Sequence, residues 1–305
     1  MEQSIYNELV RIAGKDNVRI DEPMKKHTTF RIGGAADFFV TPDKFSDIGE
    51  IIKACTKLSV PYYVVGNGSN LLVSDEGYRG VIIQIYDKLN YAEWKEDGVI
   101  ASAGCLLSAL GNEAARRGLS GFEFATGIPG TLGGAVAMNA GAYGGEIMDC
   151  LVSATVMDNE GNVFTLTNEK MEFGYRMSAV IKHGYIVLEA ELSLVPGDPD
   201  MIKAKVAELS EARRSKQPLE YPSAGSTFKR PEGYFAGKLI QDAGFKGYRV
   251  GGAMVSEKHS GFVINSQNAT AKDVYKLIND VQQGVFDKFG VKLEMEVKCL
   301  GFFRT

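Results

Sequence analysis

Two stretches of small residues carry the first chemical signal in this chain. Gly66-Asn67-Gly68-Ser69-Asn70 follows directly on the apolar run 61–65. Residues without a Cβ let backbone amides crowd toward a ligand, and successive N–H groups in such a turn form a concave anion site. The fingerprint of doubly wound dinucleotide folds needs a third glycine three positions after the second, then a helix. Leu71 stands there instead, and Leu71-Leu72-Val73 is not an amphipathic helix. The cluster therefore reads as a phosphate cradle of another class, or as a plain tight turn. The second stretch runs from Gly127 to Gly145 and carries no charge. A surface loop normally holds Asp, Lys or Ser. This tract suits a backbone wall against a large flat ligand and its pyrophosphate, with Thr131 capping a short helix whose first amides face a phosphate. Close helix–sheet packing also selects Gly and Ala. Two such tracts in one domain favour one extended dinucleotide.

Other chemistries have little material. No GxxxxGK[ST], GxSxG, HExxH or EF-hand pattern occurs, and the histidines are His27, His183 and His259 only, which argues against metal and triad catalysis. Cys55, Cys105, Cys150 and Cys299 are far apart and read as buried reduced thiols. Lys and Arg number 34 against 38 Asp and Glu, a net charge of −4, which argues against non-specific nucleic-acid binding. The N-terminus shows no basic and apolar leader, and no apolar run reaches the ~18 residues of a spanning helix, so the expectation is a cytoplasmic protein with no membrane insertion.

The elements that must position the glycine tracts alternate between helix and strand over 305 residues, too many for one ordinary core. This favours an α/β or α+β class. Thr41-Pro42 reads as a helix start, followed by Phe45, Ile48, Ile51, Ile52, Cys55 and Leu58 at helical spacing. Strands are expected over 61–65 and 81–85, a second helix from Leu106 to Arg117 ahead of Gly118, and strands near 151–157, 163–166 and 185–194. Asp198-Pro199 opens a further helix. Thr270 and Asp273 form a capping-box pattern before the stripe Val274, Leu277, Ile278, Val281, Val285 and Phe289, closed by Gly290. The last segment alternates: Val291, Leu293, Met295 and Val297 on one face, Lys292, Glu294, Glu296 and Lys298 on the other. A domain boundary is expected near 200.

The two tracts, in this order, resemble the FAD-binding domain of the vanillyl-alcohol oxidase type. Further segments narrow the likeness: His27-Thr28-Thr29-Phe30-Arg31-Ile32-Gly33-Gly34, Tyr175-Arg176, Ala224-Gly225-Ser226-Thr227-Phe228-Lys229 and Leu293-Glu294-Met295-Glu296-Val297. Together with the glycine tracts these are similar to the UDP-N-acetylenolpyruvoylglucosamine reductase (MurB) family across roughly 20–302, in its shorter form without the tyrosine loop. The resemblance implies an α+β chain with a two-lobed FAD domain of this PCMH type over 1–200 (small lobe about 20–86, larger lobe about 87–200). A smaller substrate domain would span 201–290, and a C-terminal strand, 291–305, would return toward the FAD domain. It implies non-covalent FAD held by Gly66, Asn67, Gly68, Ser69, Asn70, Leu71, Gly127, Ile128, Pro129, Gly130, Thr131, Gly133, Gly134, Ala135, Asn139 and Gly141. NADPH is the implied co-substrate, and the reaction is reduction of the enolpyruvyl double bond of UDP-N-acetylglucosamine enolpyruvate in peptidoglycan synthesis, by a monomer.

The same resemblance casts Arg176, Ser226 and Glu296 as catalytic. Hydride addition to an enolpyruvyl ether puts negative charge on the neighbouring carbon and carboxylate. Arg176 would stabilise that charge, Ser226 would protonate the carbon, and Glu296 would hold and polarise the enol. A serine is a poor acid, so nearby positive charge is required, with Lys229 and Lys216 as sources. Alternation alone leaves Glu294 and Glu296 undistinguished. Tyr175, Lys216, Lys229, Lys246 and His259 match substrate-contact positions, and the basic run Arg213-Arg214 near Lys216 would suit a pyrophosphate. Arg230 stands where some relatives carry Asn, which leaves its role open. Two other readings fit the residues less fully: an FAD oxidase of the same domain class, whose flavin is often tethered to His or Cys, and a non-catalytic nucleotide-sugar binding protein.

Overall fold

The computed structural model describes residues 2–303. The chain forms two units, each discontinuous in sequence: unit 1 is 1–20, 38–67 and 80–212, and unit 2 is 21–37, 68–79 and 213–305. The division by function into 1–200, 201–290 and 291–305 stands apart from these compact units and remains a proposal.

Unit 1 is built on a five-stranded antiparallel sheet in the order Val163–Thr167, Leu151–Met157, Ile186–Ser193, Gly98–Ser102, Ala92–Lys95. The short helix Leu132–Ala137, from the second glycine tract, packs on the central strand Ile186–Ser193. Tyr62–Val65, which ends at the first glycine tract, runs parallel to Tyr78–Gln84, with Tyr62 opposite Val81. The helix Phe45–Lys57 buries Ile48, Ile51, Ile52 and Cys55, as its spacing predicts. It starts later than Thr41-Pro42, at an N-cap of Lys44. The intervening residues are committed elsewhere: the Thr41 amide donates to Asn17 O, and Asp43 accepts from Asn17 and pairs with Lys88.

Unit 2 contains the antiparallel strands Arg249–Val250, Ala253–Val255 and Val263–Asn265, against which the helix Ala271–Phe289 packs. Its capping box forms as expected, the Thr270 hydroxyl accepting from the Asp273 amide. The Asp75 carboxylate accepts from the Ala271 and Lys272 amides at 2.8 and 2.9 Å, satisfying two otherwise orphaned donors of that first turn. Val274, Leu277, Ile278, Val281 and Val285 are fully buried. Each such side chain is worth about 1.5–3 kcal/mol over exposure. Phe289 departs from the stripe. It lies in the last turn, before the Gly290 cap at φ 68°, and is exposed beneath Lys288.

The final segment also departs from expectation. Residues 291–297 do not form a continuous strand. Met295 makes one bridge to Phe228, flanked by Lys229 N–H to Glu294 O and Glu296 N–H to Thr227 O. The Gln282 side chain takes Leu293 O, and a true strand, Lys298–Leu300, begins only where the chain pairs in parallel with Leu71–Val73. The alternation breaks with it: Glu294 is exposed but Glu296 is buried.

Candidate active site

In unit 1 the two glycine tracts meet. A Cβ on Gly66 would lie 2.2 Å from Thr131 Oγ1, and the Asn67 side chain donates through Nδ2 to Pro129 O at 2.6 Å. Beside this contact lies a cavity of about 140 Å³, lined by Gly66, Thr131, Gly133 and Gly134 among others. A Cβ on Gly134 would find only Thr131 Oγ1, at 3.7 Å, so that glycine leaves room on the cavity side. Other glycines of the tract are closely packed: Gly133 abuts Ala103, Gly141 abuts Glu146, and Gly145 abuts Phe124. The packing reading of the tract thus holds at Gly133, Gly141 and Gly145, while Gly134 leaves open space beside the cavity. One expectation fails. Thr131 sits at the N-cap without a side-chain cap bond, and the Leu132 and Gly133 amides donate to Cys105 O and Ala103 O, so these two first-turn donors do not face a phosphate.

The cavity adds residues the sequence reading missed, notably Val180, Tyr185, Ile186 and Val187. Apolar strand residues carry no sign of which face meets a ligand. Tyr185 is set by its neighbours: His183 stacks on it at 5.3 Å and Phe164 meets it edge-on at 5.1 Å.

Arg176 is also in unit 1, on the tight turn closed by the paired hydrogen bonds of Gly174 and Met177. Its φ is +56°, a left-handed conformation that arginine takes only at a cost of about 1–3 kcal/mol. The guanidinium lies over Tyr175 at 5.0 Å and donates to Gly141 O at 3.4 Å, which ties it to the glycine tract. Asn139 is fully buried and spends its side chain on Gly174 O and the Met148 amide, so it braces the arginine turn from that tract.

In unit 2, Ser226 is exposed after Gly225, whose φ is +75°, and its hydroxyl has no hydrogen-bond partner among the described residues. The neighbouring Thr227 is fully engaged, its amide donating to Gly261 O and its hydroxyl accepting from the Val263 amide. Because Glu296 N–H donates to Thr227 O, the Ser226 loop and the Glu296 segment are paired backbones. Asn70 joins them: its side-chain amide donates to Glu296 O, and its own carbonyl accepts from Lys298 N–H. Gly68 forms the adjacent corner at φ +61°, where a Cβ would lie 2.0 Å from His27 O. Leu71 is buried in the strand that pairs with Lys298–Leu300.

Lys229 is not a free charge for Ser226. Its ammonium pairs with Glu294 at 3.0 Å, so the expectation of Lys229 as the activating cation is corrected. Lys216 and Lys246 are exposed. Two buried polar atoms lack a partner among the described residues, Gln217 Oε1 and Ser260 Oγ. They stand next in sequence to Lys216 and His259.

His259 is half-buried, and its Nδ1 accepts from the Gly261 amide at 3.1 Å. That bond leaves the proton on Nε2, which makes the ring a neutral donor. Burial lowers its pKa below the ordinary 6.5. The unfolded chain therefore takes up this proton first, and folding stability falls as pH drops below about 6.5. A His259→Gln variant is expected to lose that part of the acid slope, as read from urea midpoints across pH.

The cysteines differ from one another. Burial pushes the Cys55 and Cys150 thiols up to about 12, which makes them inert. Cys299 is exposed, not buried as expected, although its thiol is still shielded enough to stand at about 11. No cluster of three or more potential metal ligands exists among the described residues, and none of their helices is long and apolar enough to cross a membrane.

Residues 36–167 match the family described as an FAD binding domain. Over 64% of this chain the fold is that of an alkyldihydroxyacetonephosphate synthase structure, with a TM-score of 0.50 at 18% identity. The chain thus carries an FAD-binding domain in a fold shared with that synthase. Residues 217–300 match the family described as UDP-N-acetylenolpyruvoylglucosamine reductase, C-terminal domain. Relatives of that name from Clostridioides difficile and Clostridium botulinum are 52% and 54% identical, covering 98% of this chain and 98% of the first relative, and 95% of this chain and 94% of the second. The crystal structure of the reductase (MurB) from Thermus caldophilus is 37% identical with a TM-score of 0.79, covering 93% of this chain and 98% of that one. This chain belongs to the UDP-N-acetylenolpyruvoylglucosamine reductase family.

Proposed function

We propose that the protein reduces the enolpyruvyl double bond of UDP-N-acetylglucosamine enolpyruvate with electrons from NADPH, giving UDP-N-acetylmuramate for peptidoglycan synthesis. The observation that carries this reading is the meeting of the two glycine tracts beside the 140 Å³ cavity. Such bare backbone beside an apolar cleft fits a dinucleotide cofactor. Among the described residues no Cys or His lines the cleft, which favours non-covalent FAD over the tethered flavin of an oxidase. Gly66, Asn67, Thr131, Gly134 and Tyr185 would hold it, with the remaining glycine-tract residues shaping the wall.

Bound FAD would supply the two-electron relay between NADPH and the double bond. The chain supplies the rest. Arg176 pairs with the substrate carboxylate, where charge accumulates, and its delocalised cation stays protonated throughout. Ser226 gives its hydroxyl proton to the carbon next to that carboxylate. Its exposed, unpartnered hydroxyl leaves the donor available. Glu296, buried and anchored through its backbone by Asn70 and Thr227, holds and polarises the enol. His259 donates from Nε2, while Tyr175, Lys216, Lys229 and Lys246 make further substrate contacts, Lys229 on releasing Glu294. The protein works as a cytoplasmic monomer.

A visible spectrum tests the reading. Purified protein is expected to be yellow, to release its colour on acid precipitation, to bleach with NADPH and to recolour when the enolpyruvyl nucleotide is added. Colour retained in the acid pellet would favour the oxidase, and colourless protein would favour the binding protein.

A further inference from the structure

Arg31 stands apart from the other described arginines of unit 2. Its guanidinium is exposed and has no hydrogen bond, ion pair or ring contact among the described residues. Nearby, by contrast, Arg79 pairs with Asp37 and Lys229 with Glu294. Its φ is +55°. Asn and Asp tolerate that region far better than a long side chain. Among the described non-glycine residues at positive φ, only Arg31 and Arg176 are cations.

Nothing in the turn relaxes this conformation. The Arg31 amide donates to Thr28 O, and the Thr28 hydroxyl donates to Ile32 O. Phe30 and Ile32 on either side are buried. Behind them the backbone has no slack: a Cβ on Gly33 would lie 2.8 Å from Val73 Cβ, and one on Gly34 2.2 Å from Asp75 O. The same turn is tied to two of the unit 2 loops that carry candidate site residues. The Thr29 amide donates to Gly68 O at 3.3 Å, and the Thr29 hydroxyl donates to Ser223 O at 2.7 Å, three residues before Ser226. The Asn265 side chain donates to Phe30 O at 3.2 Å. A rigid, costly backbone that presents an unpaired guanidinium beside two ligand loops has the form of a preorganised anion contact.

We propose that Arg31 is a phosphate-binding residue that takes two phosphate oxygens of a nucleotide ligand through its guanidinium fork. The inference rests on the nucleotide chemistry of the proposed function. The phosphate has three sources there: the FAD pyrophosphate, the phosphates of NADPH and the pyrophosphate of the UDP substrate.

The test compares wild-type holoenzyme with Arg31→Gly and Arg31→Lys. Glycine accepts the left-handed backbone freely, so it removes the side chain without stressing the fold. Its Tm is expected to equal or exceed the wild-type value. Three constants separate the sources: the FAD dissociation constant by flavin fluorescence, KM for NADPH, and KM for the enolpyruvyl nucleotide. In Arg31→Gly one of them is expected to weaken by about 10-fold or more, the scale of one lost charge-assisted contact, with Lys restoring part of it. All three constants within about 2-fold of wild type, or a uniform loss accompanied by a lower Tm, would overturn the assignment. Failure of the functional reading shows differently: the wild type itself would bind no flavin or ignore NADPH.

Discussion

Replacing Ser226 by alanine is expected to leave bleaching by NADPH nearly unchanged and to slow recolouring by the enolpyruvyl nucleotide by at least ~10²-fold, the usual scale for a lost general acid. The two half-reactions separate because only the second needs a proton on carbon. Ser226 is exposed and bonds to no described side chain, so its removal leaves no buried partner orphaned and should not disturb the fold. Its neighbour Thr227 is the structural residue of the pair, with both amide and hydroxyl engaged in the unit 2 sheet region. Thr227→Ala should therefore lower Tm, whereas Ser226→Ala should not. Stopped-flow absorbance of each half-reaction, with melting curves beside it, checks both. A Ser226→Ala enzyme that recolours at the wild-type rate would remove this residue from the mechanism. Lys229 gives a second arm. Its ammonium is already paired with Glu294, so it does not supply the positive charge that the proposed proton transfer from Ser226 calls for.

Much of the fold was legible because its signals are local. The stripe Val274, Leu277, Ile278, Val281 and Val285 needs only a 3.6-residue period, and its capping box and terminal Gly290 are set by residues within one turn. Likewise, a strand that runs straight into Gly66 announces a loop after it. What failed depends on distant partners. Residues 291–297 alternate like a strand, yet a strand needs a ladder, and here only Met295 finds one while Gln282 claims the Leu293 carbonyl. The same break distinguishes Glu296 from Glu294, which no pattern could do: one is buried under Asn70 and Thr227, the other pairs with Lys229 at the surface. Thr41-Pro42 has good capping chemistry, but Asn17 and Lys88, far away in sequence, hold that segment out of the helix. The candidate site shows the same division. Its glycines were visible as composition, whereas Tyr185 was invisible until the fold placed it on the cavity wall.

Gly66→Ala should cost the protein its flavin. A methyl group there would sit 2.2 Å from Thr131 Oγ1, closer than real Cβ atoms approach, and 3.0 Å from Thr131 Cγ2, tighter than most, so the Thr131 side chain or its tract would have to shift. The two glycine tracts are otherwise drawn together by the Asn67 side chain donating to Pro129 O. A shift of even ~1 Å in a wall that positions a ligand can cost about 10²-fold, and we expect FAD affinity to weaken by about that factor. Because the obstruction is one side chain, it is correctable. Thr131→Ala removes both the Oγ1 and the Cγ2 from the path and leaves only Cβ, at 3.1 Å. The double variant Gly66→Ala/Thr131→Ala should therefore bind flavin more tightly than Gly66→Ala alone, a sign of direct coupling between the tracts. Flavin fluorescence titration of the four proteins measures this, and circular dichroism separates loss of cofactor from loss of fold. If the tracts were ordinary packing with no cofactor between them, Gly66→Ala would lower Tm and leave the affinity of the folded protein unchanged. The cradle reading requires the reverse ordering of effects: affinity falls first, and the second substitution recovers it.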